Sequence, residues 1–213
     1  MAKKIVSPQG VIINADREPD ARNPHSWLVL VGDSPDREGT RILYGVLRPT
    51  FRGWGNTAAA FAKAKVQPVP DKGGDPWAMT ATRCEVLLPG DSDDRLLSPQ
   101  ALMETHDQEQ PPGKPVILTY VTITFPTARL HQQYELVRAF AMSALVRAYG
   151  VGVLMVQHAP HRAASSNLPH VHLLIGRVVG SLGLKEYVPI LCGDKGRDVI
   201  VAAFREFEAS WTG

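Results

Sequence analysis

The clearest pattern along the chain is a pair of apolar runs on either side of residue 160. Gly152-Val-Leu-Met-Val156 is uninterrupted, and Val171, Leu173, Leu174 and Ile175 follow the loop 159–168. Both runs read as strands, and a loop of that length lets them pair as a hairpin. Upstream, Pro115 to Phe125 alternates, with Val116, Leu118 and Tyr120 set against Ile117 and Thr119. The runs Arg41–Arg48 and Cys84–Pro89 predict two more strands, and Trp27–Val31 a short one. Helical spacing starts at Thr127, with apolar residues at 130, 134, 137, 140/141, 144/145 and 148, and stops at Gly150. A last helix puts Ile200, Ala203/Phe204, Phe207 and Trp211 on one face. Ala58 to Lys65 forms an Ala-rich helix that Asn56 or Thr57 can cap. Ser98 caps another, with Pro99 at the first position, where a missing N–H costs nothing. The order β-α-β-α-β-α-β-β-α implies an α+β fold, a mostly antiparallel central sheet flanked by helices. Residues 1–40, rich in Pro, Asp, Arg and Gly, read as a loosely ordered N-terminal extension with one short strand, leaving 41–213 as the main domain.

Chemistry enters at the hairpin. His158 ends the first apolar run, and His170 and His172 open the second. Side chains two apart on a strand share a face, so these two imidazoles converge, and the hairpin brings His158 beside them. Three neutral imidazoles on one wall can hold a divalent cation with a position left open. Ligand softness favours Zn, Mn, Fe or Ni over Mg at such a site. His25, His106 and His131 lie outside this spacing.

Composition adds little beyond charge. No apolar run is long enough to cross a bilayer, the N-terminus lacks the apolar core of a secretory signal, and Cys84 and Cys192 have no metal or redox spacing. A cytoplasmic protein with reduced thiols is expected. The net charge of +2 is uneven: residues 1–110 hold thirteen basic against fifteen acidic residues, and 111–213 ten against six. Within 111–178 six basic residues accompany a single acidic one, Glu135. A histidine cluster in a positive region suits an anionic substrate such as nucleic-acid phosphate; a solvated helix face carrying three arginines is the plain alternative.

Three segments then carry a resemblance. Val121-Thr-Ile-Thr-Phe-Pro126 leads into Glu135-Leu-Val-Arg-Ala-Phe-Ala141; Gly150-Val runs to Val156-Gln-His158; and Asn167-Leu-Pro-His170-Val-His172 precedes Arg177. In this order they resemble the strand–Pro–helix segment, the strand ending in a metal His, and the Asn-Pro-His-x-His signature of MobA/MobL conjugative relaxases, members of the HUH endonucleases. Weaker similarity runs through Ile42-Leu-Tyr44, Arg52-Gly-Trp-Gly55 and the Ala-rich helix. The resemblance implies that His158, His170 and His172 bind a divalent metal (Mn, Mg or Zn) that polarises a DNA phosphate. It implies single-stranded DNA as partner, possible contact with other mobilisation proteins, and a role in plasmid mobilisation. Arg52, His161, Arg162 and Arg177 are the candidate DNA contacts.

The chain departs from the family at the nucleophile. There a tyrosine on the Ala-rich helix attacks the phosphate; here its place falls on Ala64, or on Phe61 if the register slips one turn. Tyr44 is the tyrosine nearest that segment and is carried as the candidate nucleophile. Leu168 stands between Asn167 and Pro169, where the family signature has none. Three readings follow: a relaxase-like protein that binds and nicks single-stranded DNA, a catalytically inactive DNA-binding remnant, or a metal-dependent phosphoesterase using water. A histidine-triad nucleotide hydrolase is disfavoured because the next alternate residue is Leu174.

Overall fold

The computed structural model describes residues 10–14, 16–34, 37–71, 73–127, 129–163, 166–193 and 195–212. The chain opens with β1 (Val11–Ile12), β2 (Leu30–Gly32) and β3 (Arg41–Leu47), then a small hairpin of β4 (Thr50–Phe51) and β5 (Trp54–Gly55). Next come α1 (Ala58–Val66), β6 (Arg83–Leu87), α2 (Pro99–Gln108), β7 (Leu118–Thr124) and α3 (Leu130–Phe140). β8 (Val151–His158), β9 (His170–Gly180), β10 (Gly183–Leu184), α4 (Pro189–Cys192) and α5 (Gly196–Ser210) complete it. The main sheet runs β1-β2-β3-β7-β9-β8-β6, with β10 against β9, and its pairs are antiparallel. This is the expected α+β architecture.

The sheet is buried on both faces, so its central strands are apolar throughout rather than alternating with polar residues. One face, with Ile42, Val121, Ile123, Leu173 and Met155, packs against α3, α4 and α5. The other, with Leu47, Leu118, Tyr120, Leu154 and Leu174, packs against α1 and α2. Strand alternation therefore decides which helix layer each side chain meets. Gln157, between Val156 and His158, faces the α3 layer and donates its Nε2 hydrogen to Leu130 O at 2.6 Å.

Two features differ from the expectation. The helix expected from Thr127 to Gly150 is α-helical only to Phe140; from Ala141 to Arg147 it is wound as a π-helix. An extra residue per turn slips the apolar face by one position, which accounts for the doubled apolar positions 140/141 and 144/145.

The second is residues 10–34, read from composition as a loosely ordered extension. They supply β1 and β2 to the main sheet and bury Trp27, Leu28 and Leu30. Two polar side chains explain why a segment with few apolar residues is held. Buried Asn14 donates to His25 O at 2.6 Å and Leu28 O at 2.7 Å and accepts from Leu30 N at 2.8 Å. Asp33 accepts from Arg205 at 2.9 Å, Arg197 at 3.3 Å and Ile42 N at 2.9 Å, tying the segment to α5. Residues 1–9 lie outside the described residues. Among the described residues no helix is long and apolar enough to cross a membrane.

Candidate metal centre

β8 ends and β9 begins at the same rung of the ladder: His158 and His170 are Cα partners, and His172 lies opposite Val156. Alternation puts all three imidazoles on the α1–α2 face, where one potential ligand atom from each lies within 4.8 Å of the others. Ring centroids are 4.5 Å apart for His158–His172, 4.6 Å for His170–His172 and 5.2 Å for His158–His170. His158 Nδ1 and His172 Nε2 are 3.2 Å apart. Two imidazole nitrogens bound tetrahedrally to one ion at about 2.0–2.1 Å would sit about 3.3 Å apart, so this pair already has the right spacing.

The outward nitrogens show which lone pairs face inward. His158 Nε2 lies 2.6 Å from Lys65 O, and His170 Nδ1 lies 2.7 Å from Leu168 O. A carbonyl only accepts, so each of those nitrogens carries the ring hydrogen, and in the neutral ring His158 Nδ1 and His170 Nε2 keep free lone pairs. His172 Nδ1 meets two hydroxyls instead, Tyr120 Oη at 2.8 Å and Thr122 Oγ1 at 3.0 Å. Tying each ring by its outer nitrogen orients the inner one toward an ion. Burial keeps the rings neutral: it pushes His158 down to about 4, lowers His170, and lowers His172 well below the ordinary histidine value. The donor set thus fits a divalent cation bound by three nitrogens.

The histidines open into a cavity of about 520 Å³ whose wall includes Arg22, Asn23, His25, Ala64, Lys65 and Asn167. Arg22 and Lys65 are its basic residues, and no carboxylate lines it among the described residues. Lys65 is 2 % exposed, its ammonium 5.0 Å from the Phe61 ring centre and 4.9 Å from that of Tyr120. Burial lowers the Lys65 pKa well below the ordinary lysine value; in its protonated form its charge adds to the lowering of His25, His158, His170 and His172. Such a cavity has room for an anion beside the three imidazoles.

The two positions that the resemblance offered on α1 have different surroundings. Phe61 is fully buried in the core, whereas Ala64 lines the cavity. The place that the resemblance gives to a nucleophile therefore faces the histidines and carries only a methyl group. Tyr44 does not replace it. It sits on the α5 face of β3, 7 % exposed, and its hydroxyl donates to Leu191 O at 2.9 Å. None of the five tyrosines lines the cavity.

The candidate DNA contacts are scattered. Arg52, in the β4–β5 turn with a positive φ of 49°, donates to Arg17 O at 2.8 Å. His161 is exposed on the 3-10 turn Pro160–Ala163 that follows His158; the side chain of Arg162 lies outside the described residues. Arg177 is buried, donating to Glu109 O at 2.9 Å, to Leu184 O at 3.3 Å and to Lys185 O, so its guanidinium pins β10 and the end of α2. Among the described residues of the expected set, the three histidines converge. Lys65, Arg22, Tyr120 and His25 join them without having been expected. Of these, Tyr120 alone left a trace in the sequence, as a polar-tipped residue in a strand whose alternate positions face one way.

No family model matches the chain, and no curated protein matches it. Among solved structures, a Staphylococcus aureus chain from work on the molecular basis of vancomycin resistance transfer aligns over 74 % of this chain and 89 % of its own, with a TM-score of 0.54 and 17 % identity. That likeness shows a shared fold.

Proposed function

We propose that this chain is a relaxase-like DNA-processing protein that takes a single-stranded DNA phosphate at a three-histidine metal site and has no tyrosine nucleophile at that site. The observation that carries the reading is the set of three neutral imidazoles, tied at their outer nitrogens and converging on the floor of a cavity with two basic residues and no carboxylate in its wall. The shared fold with a protein studied for resistance transfer supports a role in DNA transfer. His158, His170 and His172 would hold the ion. A divalent metal there supplies charge neutralisation for a phosphoryl oxygen. Arg22 adds positive charge beside the phosphate, and a bound phosphate favours the charged form of the buried Lys65, whose pKa burial lowers.

A second reading is favoured by one specific observation. Ala64 leaves room at the position where a tyrosine would enter, so water can reach a phosphate held at the histidines, and the protein then works as a phosphodiesterase releasing free products.

Labelled single-stranded oligonucleotide incubated with the protein and Mn²⁺, run on denaturing and native gels, tests both. Retardation on the native gel that His170→Ala abolishes, with no protein-linked band on the denaturing gel, is the expected result. Shorter free fragments favour the water reading. A covalent protein–DNA band contradicts the absence of a tyrosine nucleophile.

A further inference from the structure

We infer that His25, acting through the Tyr120 hydroxyl, is the positioning residue that lets His172 serve as a metal ligand; this rests on the metal reading above. His25 comes from the turn Pro24–Ser26, far from the hairpin in sequence. Its main chain is fixed on both sides: His25 O accepts from Asn14 at 2.6 Å, and His25 N donates to Asn23 Oδ1 at 3.2 Å. The ring lines the histidine cavity, 5.9 Å from the His172 ring and nearly perpendicular to it. His25 Nε2 lies 2.8 Å from Tyr120 Oη, which lies 2.8 Å from His172 Nδ1. The Tyr120 ring stacks on His172 at 5.4 Å and meets Phe61 edge-on at 5.0 Å, so the hydroxyl has little freedom to move.

His158 has given its ring hydrogen to Lys65 O, so its 3.2 Å contact with His172 needs a hydrogen on His172 Nε2. A cation in place of that hydrogen requires the His172 hydrogen on Nδ1, pointing at Tyr120 and Thr122. A hydroxyl facing a donor must accept, so Tyr120 has to direct its single hydrogen elsewhere. His25 Nε2, at 2.8 Å, is an acceptor within reach; the Thr122 hydroxyl, itself against His172 Nδ1, is the other group that bonds Tyr120. With His25 accepting, Tyr120 accepts from His172, and the Nε2 lone pair faces the ion. Without His25, Tyr120 loses that acceptor, and its hydrogen can turn to His172 Nδ1 and hold the ring in the tautomer that cannot ligate. His25 is thus a positioning residue supplied by the N-terminal segment.

Co²⁺ is the probe: its affinity and visible absorption are measured on the full chain and on His25→Ala, His25→Gln, Tyr120→Phe and His170→Ala, with melting temperatures recorded before cobalt is added. Outer-sphere partners of this kind change metal affinity roughly 10- to 100-fold. His25→Ala and Tyr120→Phe should weaken Co²⁺ by that factor with melting unchanged. His25→Gln, which keeps an acceptor oxygen, should stay close to the original affinity, and His170→Ala should bind no cobalt. If His25→Ala binds Co²⁺ as tightly as the unaltered protein while His170→Ala does not bind, the relay is wrong and the metal site stands. Equal losses in His25→Gln and His25→Ala also overturn it, because acceptance is then not the property that matters. Should His25→Ala fail to fold, the Tyr120→Phe and His25→Gln pair decides between the same outcomes. An unaltered protein that takes up no Co²⁺ overturns the metal reading and the relay with it.

Discussion

His106 shows how far burial alone can set a residue's behaviour in this protein. It is fully buried on α2, and among the described residues neither ring nitrogen has a hydrogen-bond partner. A Cβ on Gly176 would come within 2.2 Å of its Nε2, so β9 has to carry glycine there for the ring to lie flat on the strand. Burial, with a smaller contribution from Arg177, pushes its pKa down to about 3. The unfolded chain, with a histidine near 6.5, therefore binds the proton more readily than the folded one. The stability that follows is full above about pH 6.5 and is lost as pH falls toward 3. Between pH 6.5 and 4.5 this costs on the order of 2 kcal/mol. Denaturant titrations at both pH values should show the original protein losing that much more than His106→Leu; equal losses would mean that the proton is taken up elsewhere. His158, His170 and His172 could be read from the chain because strand spacing alone brings them together. His25, Lys65 and His106 could not. A histidine in a polar segment and a lysine in an Ala-rich helix look like solvated residues until packing encloses them.

At the scale of elements, α1 is the part whose placement matters most, since its last turn supplies the carbonyl that holds His158. Its start is capped twice. Thr57 Oγ1 accepts from Ala60 N at 3.0 Å, and Asp107, on α2, accepts from Ala58 N at 2.6 Å and Ala59 N at 2.9 Å. The local cap was legible in the sequence; the carboxylate from another helix was not, because it depends on how α1 and α2 pack. Asp107→Ala should cost about 1–2 kcal/mol in a thermal or denaturant melt, the usual loss for a helix N-cap partner. Loosening α1 should also weaken metal uptake through Lys65 O, while Asp107→Asn retains one acceptor and most of both properties. The strands were largely predictable from apolar runs and alternation. β1 and β10, two residues each, were too short to leave a pattern. β9 extends past the predicted run by way of an irregular register, with Val153 opposite Ile175 but Val151 opposite Val178.

For the whole molecule, the two-layered packing sorts chemistry by sheet face. The histidines, Lys65 and Ala64 share the α1–α2 side, and Tyr44 lies on the opposite face beside α4 and α5. Composition alone put a boundary at residue 40. The fold instead draws residues 10–34 into the sheet through Asn14 and Asp33 and makes residues 22–25 one wall of the cavity. Polar side chains that satisfy backbone groups hold that segment, which an apolar pattern cannot reveal. If the cavity takes DNA, Arg22 contributes a phosphate contact. Arg22→Ala should then weaken single-stranded DNA binding and reduce the slope of log affinity against log salt by about 0.7; an unchanged slope would place the phosphate elsewhere.

If the three histidines join a divalent metal to single-stranded DNA, that metal governs the DNA affinity. Fluorescence anisotropy of a labelled single-stranded oligonucleotide, titrated with the protein with and without Mn²⁺, tests it most directly when the variant His158→Ala/His170→Ala/His172→Ala is run alongside. Mn²⁺ should tighten binding, a chelator should reverse the gain, and the variant should gain nothing from the metal. Equal DNA affinity with and without Mn²⁺ in the unaltered protein, or an equal gain in the variant, would contradict it.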